Sequence, residues 1–221
     1  MTIYPSILTD SLAEAQEQLD KLHAQTQNAI KVVQFDIVDG IFADNITFDP
    51  IDILELHTYD FRADIHLMTV DPINDVIECS ALPFVRAIIG QVEKMPSQQA
   101  FIDIVKAQQQ LVGLSLDLYT PLSAIEDDIW QQLDLVQIMT IPAGFQGQIF
   151  QAIGLEKVRE VKEILKNKDL GLEIIVDGGV KLENVALVKD TGADAITVGS
   201  YLWKANNFSE ALQQLSLRIN T

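Results

Sequence analysis

Glu173-Ile174-Ile175-Val176-Asp177-Gly178-Gly179-Val180 is the stretch that decides the fold. Three consecutive β-branched apolar residues suit a strand buried on both faces, and the run stops at a carboxylate followed by two glycines. Such a stop marks the carboxyl end of a parallel strand, where the chain must turn sharply and where ligands are bound. Working outward, similar short apolar runs occupy Ile3–Ser6, Ile30–Asp36, Ala63–Leu67, Phe84–Ile89, Leu111–Leu116, Leu135–Met139 and Ala195–Val198. Between them lie stretches with helical periodicity. Leu12, Ala15, Leu19 and Leu22 follow a cap at Asp10 or Ser11, and Val158, Val161 and Leu165 repeat the spacing, as do Ala211, Leu212 and Leu215. The alternation predicts strand–helix units of about 27 residues, and eight of them close a (β/α)8 barrel. An open doubly wound sheet uses the same alternation but typically with five or six strands. The sequence shows no linker rich in Pro, Gly or Ser, so residues 1–221 are expected to form one domain.

Apolar residues make up 48 % of the chain and charged residues 21 %, a balance suited to a soluble globular protein. No apolar run approaches the roughly 20 residues that span a bilayer, and the N-terminus lacks the basic start and apolar stretch of a signal peptide. The single cysteine, Cys79, has no partner for an internal disulfide. A cytoplasmic protein is expected. The net charge of −17 repels nucleic acid and anionic lipid, so neither is expected as a partner. It also opposes any phosphorylated ligand, which must then be held locally by backbone N–H groups at glycine loops.

Polar residues at the strand ends are the candidates for chemistry. They are Ser6, Gln34 with Asp36, His66, Gln91, Asp117, Met139-Thr140, Asp177-Gly178-Gly179 and Gly199-Ser200. Gln34 and Asp36, two residues apart, share one face of a strand. Each has a bland reading: Asp36 and Asp177 as turn residues, His66 as a hydrogen-bonded core histidine. Together, two carboxylates, a histidine and a glutamine at converging strand ends favour a hard or borderline divalent metal. The loop Ala143-Gly144-Phe145-Gln146-Gly147-Gln148 reads as flexible, and Gly178-Gly179 and Gly199-Ser200 follow the seventh and eighth strands, the usual place for phosphate in a barrel. His23 and His57 fall in helical stretches as surface residues. Trp130, Trp203 and Phe208 suit either the helix–barrel core or an interface.

These motifs, in this order, resemble the ribulose-phosphate 3-epimerase family over nearly the whole chain. Pro5-Ser6-Ile7-Leu8 is similar to its opening P-S-I-L, and Asp36-Ile37-Val38-Asp39-Gly40 to its D-x-M-D-G. Phe42, Asn45, Thr47 and Phe48 follow its F-x-x-N-x-T-F, and Asp64-Ile65-His66-Leu67-Met68 its D-V-H-L-M strand. Thr120-Pro121-Leu122 stands where T-P-L precedes the fifth helix. Met139-Thr140 with Gly144-Phe145 and Gly147-Gln148 matches the lid loop, and Val176-Asp177-Gly178-Gly179-Val180 and Val198-Gly199-Ser200 complete the set.

The resemblance implies a TIM barrel of the ribulose-phosphate-binding type. It also implies an isomerase of carbohydrate metabolism, a 3-epimerase inverting one carbon of a pentose phosphate such as ribulose 5-phosphate. Carried over by position, Asp36, His66 and Asp177 are ligands of a divalent metal (Zn, Fe, Mn, Co or Mg), with Gln34 in the place of a fourth. Asp36 and Asp177 are the acid–base pair. Ser6, His66, Met68 and Met139 meet the substrate, and Gly144, Phe145, Gln146, Gly147, Gly178, Gly179, Gly199 and Ser200 surround its phosphate. A homo-oligomer is implied as well.

The chain departs from the family at Gln34 and Gln91, each in place of a histidine. It departs again at Val38 for a methionine, Ile41 for a histidine, Gln146 for a glycine and Pro142-Ala143 for Asn-Pro. Two alternatives follow: a protein that binds a phosphosugar without turnover, or an epimerase of a six-carbon ketose phosphate. A related lyase carrying D-x-K-x-x-D is disfavoured, because Val38 stands two residues after Asp36 and Asp64-Ile65-His66 also lacks the lysine.

Overall fold

The structure, a computed structural model, describes residues 1–26 and 29–220. Eight parallel strands close on one another in sequence order: β1 (Thr2–Ile7), β2 (Val32–Val38), β3 (Arg62–Met68), β4 (Val85–Gln91), β5 (Leu111–Leu116), β6 (Leu135–Met139), β7 (Glu173–Asp177) and β8 (Ala195–Val198). Closure leaves no free sheet edge. The β/α barrel expected from the alternation is therefore present, and each strand core lies where the apolar runs put it.

The outer ring holds α1 (Leu12–Thr26), α2 (Ile73–Cys79), α3 (Gln98–Ala107), α4 (Gly154–Lys168), α5 (Val185–Lys189), α6 (Ser200–Trp203) and α7 (Phe208–Asn220). Of the two candidate caps of α1, Ser11 is the one used, its Oγ accepting from the Glu14 N–H at 3.2 Å. The helices face the barrel with the expected stripes: Ala15, Leu19 and Leu22 on α1, Val158, Val161 and Leu165 on α4, and Ala211, Leu212 and Leu215 on α7. Each buried Leu or Val contributes about 1.5–3 kcal/mol of transfer free energy. Trp130 and Phe208 are buried in this layer, and Trp203 packs against it.

Two crossovers differ from the expected pattern. Between β2 and β3, and between β5 and β6, the chain makes only short 3-10 turns: Pro50–Glu55, Leu122–Ala124 and Trp130–Gln132. Thr120-Pro121-Leu122 thus opens a single 3-10 turn rather than a fifth helix, and Pro121 precedes it in an extended conformation. His57 lies beyond the first of these turns, in a loop, whereas His23 is helical; both are exposed.

Inside the barrel, side chains alternate inward and outward along each strand. Tyr4, Ala87, Ile89, Leu135, Ile175 and Ala195 form a small apolar cluster apart from the large core beneath the helices. At the amino ends of the strands Arg86 plugs the barrel. It donates to both Asp64 oxygens at 2.7 and 2.5 Å and to Glu173 at 3.0 Å, while lying over the Tyr4 ring. Toward the carboxyl ends, the next inward positions turn polar: Gln34, His66, Gln91, Ser115, Gln137 and Thr197, all buried.

Candidate active site

Strand register assembles the site. Asp36 on β2 pairs with His66 on β3, and Asp177 on β7 lies between Met139 on β6 and Thr197 on β8. Residues far apart in sequence thereby share one end of the barrel. One amide nitrogen joins the two carboxylates: Gln34 Nε2 donates to Asp36 Oδ1 at 2.7 Å and to Asp177 Oδ2 at 2.8 Å. His66 Nδ1 stands 3.0 Å from Asp36 Oδ1 and 3.9 Å from Asp177 Oδ2. Gln137 Nε2 completes the ring, 3.0 Å from Asp177 Oδ2 and 3.2 Å from His66 Nδ1. Burial pushes the Asp177 carboxyl up to about 7, the nearby Asp36 charge adds to the effect, and His66 and Gln34 oppose it.

Asp36, His66 and Asp177 offer ligand atoms within 4.8 Å of one another, all from buried residues, so this group could hold a metal ion. Gln34 sits differently from the fourth-ligand expectation. Its Oε1 accepts from Thr197 Oγ1 at 3.1 Å, so the amide turns its N–H groups, which cannot coordinate a cation, toward the carboxylates.

Above this ring opens a cleft. Ser6, His66, Met68 and Met139 line it together with Asp36 and Asp177, as do Gly144, Phe145, Gln146 and Gly147 of the loop after β6. Gly178, Gly179, Gly199 and Ser200 close the remaining side. Every residue expected to touch substrate or phosphate therefore reaches one cleft. Gly179 has φ +65°, and a Cβ there would sit 2.8 Å from the Phe150 nitrogen, so the backbone turns and packs as only glycine allows.

The loop after β6, expected to be flexible, is tied at several points. Asn45 donates to the Gly144 carbonyl at 2.7 Å, and a Cβ on Gly144 would lie 2.3 Å from the Ala43 Cβ. Asp117 Oδ1 accepts from the Ala143 N–H at 2.9 Å, which makes Asp117 a loop anchor outside the cleft. Gln146 reaches across the cleft mouth to the Leu8 carbonyl at 2.9 Å. Asp39 fixes the loop after β2 by accepting from the Ile41, Phe42 and Val70 N–H groups, while Ile41 itself is 70 % exposed.

Sequence inspection missed Leu8, Ile141, Val180, Thr197 and Tyr201 in the cleft wall, and Gln137 in the polar ring. Gln137 carried a usable signal, since it lies two residues before Met139 and so on the same inward face. Gln91 is buried but outside the cleft lining. Both its polar atoms, with Ser115 Oγ, His66 Nε2 and Gln137 Oε1, have no hydrogen-bond partner among the described residues.

Fold and site together define a barrel enzyme with a paired-carboxylate centre beneath glycine loops. Comparison with known proteins makes the assignment specific: the chain belongs to the ribulose-phosphate 3 epimerase family, whose model matches residues 2–203. It is 29 % identical over 217 residues to the ribulose-phosphate 3-epimerase of Buchnera aphidicola from Acyrthosiphon pisum, covering 97 % of this chain and 93 % of the relative. It is 32 % identical to the chloroplastic ribulose-5-phosphate-3-epimerase of Arabidopsis thaliana, over 96 % of this chain and 74 % of that one. Bacillus subtilis has a ribulose-phosphate 3-epimerase 30 % identical over 96 % of this chain and 97 % of its own.

Among solved structures, the chain superposes on KGPDC from Streptococcus mutans in complex with D-R5P, with a TM-score of 0.70 at 11 % identity, over 99 % and 96 % of the two chains. A 3-hexulose-6-phosphate synthase gives 0.66 at 16 % identity, covering 99 % of this chain and all of that one. These two likenesses show the fold alone. Family membership makes the chain one of a group of isomerases, epimerases acting on carbohydrates, and supports a pentose-phosphate epimerase. No helix among the described residues is long and apolar enough to cross a membrane.

Proposed function

We propose that this chain, acting as one barrel domain, interconverts ribulose 5-phosphate and xylulose 5-phosphate, one of Asp36 and Asp177 removing the C3 proton and the other delivering a proton to the opposite face. The observation that supports this best is the carboxylate pair itself: one group from β2 and one from β7, joined by a single amide nitrogen at the floor of a cleft. Inversion beside a ketone needs a proton removed from one face of a planar enediolate and another delivered to the opposite face. One carboxylate takes the proton and the other, protonated beforehand, gives one back.

In this scheme Ser6 orients the sugar, and Met68 and Met139 form an apolar floor that keeps water from the enediolate. The phosphate lies among Gly144, Gly147, Gly178, Gly179, Gly199 and Ser200, where backbone N–H groups offset the unfavourable net charge. Gln146, tied to the Leu8 carbonyl, closes the mouth beside Phe145. Asp36, His66 and Asp177 would hold the divalent ion, with Gln34 bracing the two carboxylates. When bound, such an ion withdraws electron density from the substrate oxygens and makes the C3 proton more acidic.

The test is solvent exchange. D-ribulose 5-phosphate incubated in D2O with the protein, in separate samples containing Zn²⁺, Mn²⁺, Fe²⁺, Co²⁺ or Mg²⁺, should lose its C3 proton signal in the NMR spectrum while xylulose 5-phosphate appears. Sugar phosphate binding by calorimetry, with no exchange under any of the five ions, would refute epimerase activity and leave a binding protein.

A further inference from the structure

Gln137 is fully buried in the barrel, yet it satisfies only half of its amide. Its Oε1 has no hydrogen-bond partner among the described residues, whereas Nε2 reaches Asp177 Oδ2 at 3.0 Å and His66 Nδ1 at 3.2 Å. An apolar residue would pack there at lower cost, since Leu135 and Met139 occupy the same face of β6 and an unpaired buried carbonyl is expensive. The amide is therefore retained for what its nitrogen does. Gln34 repeats the arrangement from the other side of the barrel, with Nε2 on Asp36 Oδ1 and Asp177 Oδ2.

Both amides aim the positive ends of their dipoles at oxygens of the carboxylates that could hold a cation, Gln34 at Asp36 and Asp177 and Gln137 at Asp177. We propose that Gln137 is a positioning residue that works with Gln34 as a two-amide clamp: it keeps the Asp36–Asp177 pair assembled without a cation and competes with a cation for the same lone pairs. The inference rests on the acid–base reading of that pair, but its test does not require turnover. Hydrogen bonds to a charged group are worth enough to alter a competing equilibrium by about tenfold or more.

The variant Gln137→Met removes the N–H donors at nearly constant volume and also removes the unpaired oxygen, so the packing should tolerate it. Metal-stripped wild type and variant are titrated with Zn²⁺ alone in a calorimeter, with circular dichroism to check the fold. The variant should bind Zn²⁺ about tenfold tighter or better, because one of the two amide donors on Asp177 Oδ2 is removed. Unchanged or weaker Zn²⁺ binding by the folded variant would overturn the clamp, because a merely structural residue gives that result. If Gln137→Met does not fold, Gln137→Leu is titrated in the same way, with the same two outcomes. Absence of exchange in wild type would overturn the epimerase reading alone and leave the Zn²⁺ comparison intact.

Discussion

Asp177→Asn tests the centre of the site, because structure and chemistry predict opposite effects on stability and activity. An asparagine can offer its oxygen to Gln34 Nε2 and Gln137 Nε2, which now reach Asp177 Oδ2 at 2.8 and 3.0 Å, so the ring survives. The proton-transfer group is lost, and C3 exchange should fall by about 10²- to 10⁴-fold. Stability should move the other way.

In metal-free protein the folded Asp177 releases its proton near 7, against 3.8 in the unfolded chain. Between those values the folded state holds the extra proton, so stability falls as pH rises through the window and levels off above it. At about 1.4 kcal/mol per unit the fall is about 4 kcal/mol. The asparagine has no proton to lose and lacks this slope. Urea denaturation in EDTA at pH 4, 5.5, 7 and 8.5 should therefore show the variant gaining on the wild type by that order toward alkaline pH. Parallel stability profiles would refute the burial argument, and undiminished exchange would refute the acid–base assignment.

Two further substitutions address the remaining polar groups. Gln34→His replaces an amide that faces the carboxylates with an imidazole that can ligate, and should raise Zn²⁺ affinity in a calorimetric titration; no gain would mean that position 34 does not face the ion. Arg86→Leu strands the fully buried Asp64 carboxylate, which Arg86 grips at 2.7 and 2.5 Å, and should cost about 3–5 kcal/mol in urea denaturation. A loss below about 1 kcal/mol would show that the plug at the barrel's amino end is dispensable.

The strands were legible because each is a short, doubly buried apolar run with a turn signal at its end. Asp36, His66 and Asp177 stood out as candidates because each is a polar residue at the end of an apolar run, and although each alone could be a turn or core residue, the structure brings the three together. The 3-10 crossovers after β2 and β5 were not, since a few turn residues before an apolar segment look alike whether a helix or a turn follows. The anchoring of the loop after β6 also escaped, because Asn45, Asp117 and Leu8 secure it from three other strand ends.

The sequence by itself determined the barrel, the strand ends and the family, because hydrophobic period and local turn chemistry are properties of neighbouring residues. Only the tertiary structure decided which atoms meet. That Gln34 turns its nitrogen to Asp36 and Asp177, and that Gln137 joins them, depends on side chains brought together across a closed sheet from positions 143 and 40 residues apart in the chain. Hydrogen bonding is directional and short-ranged, so the orientation of a buried amide is set by partners that no local stretch of sequence contains.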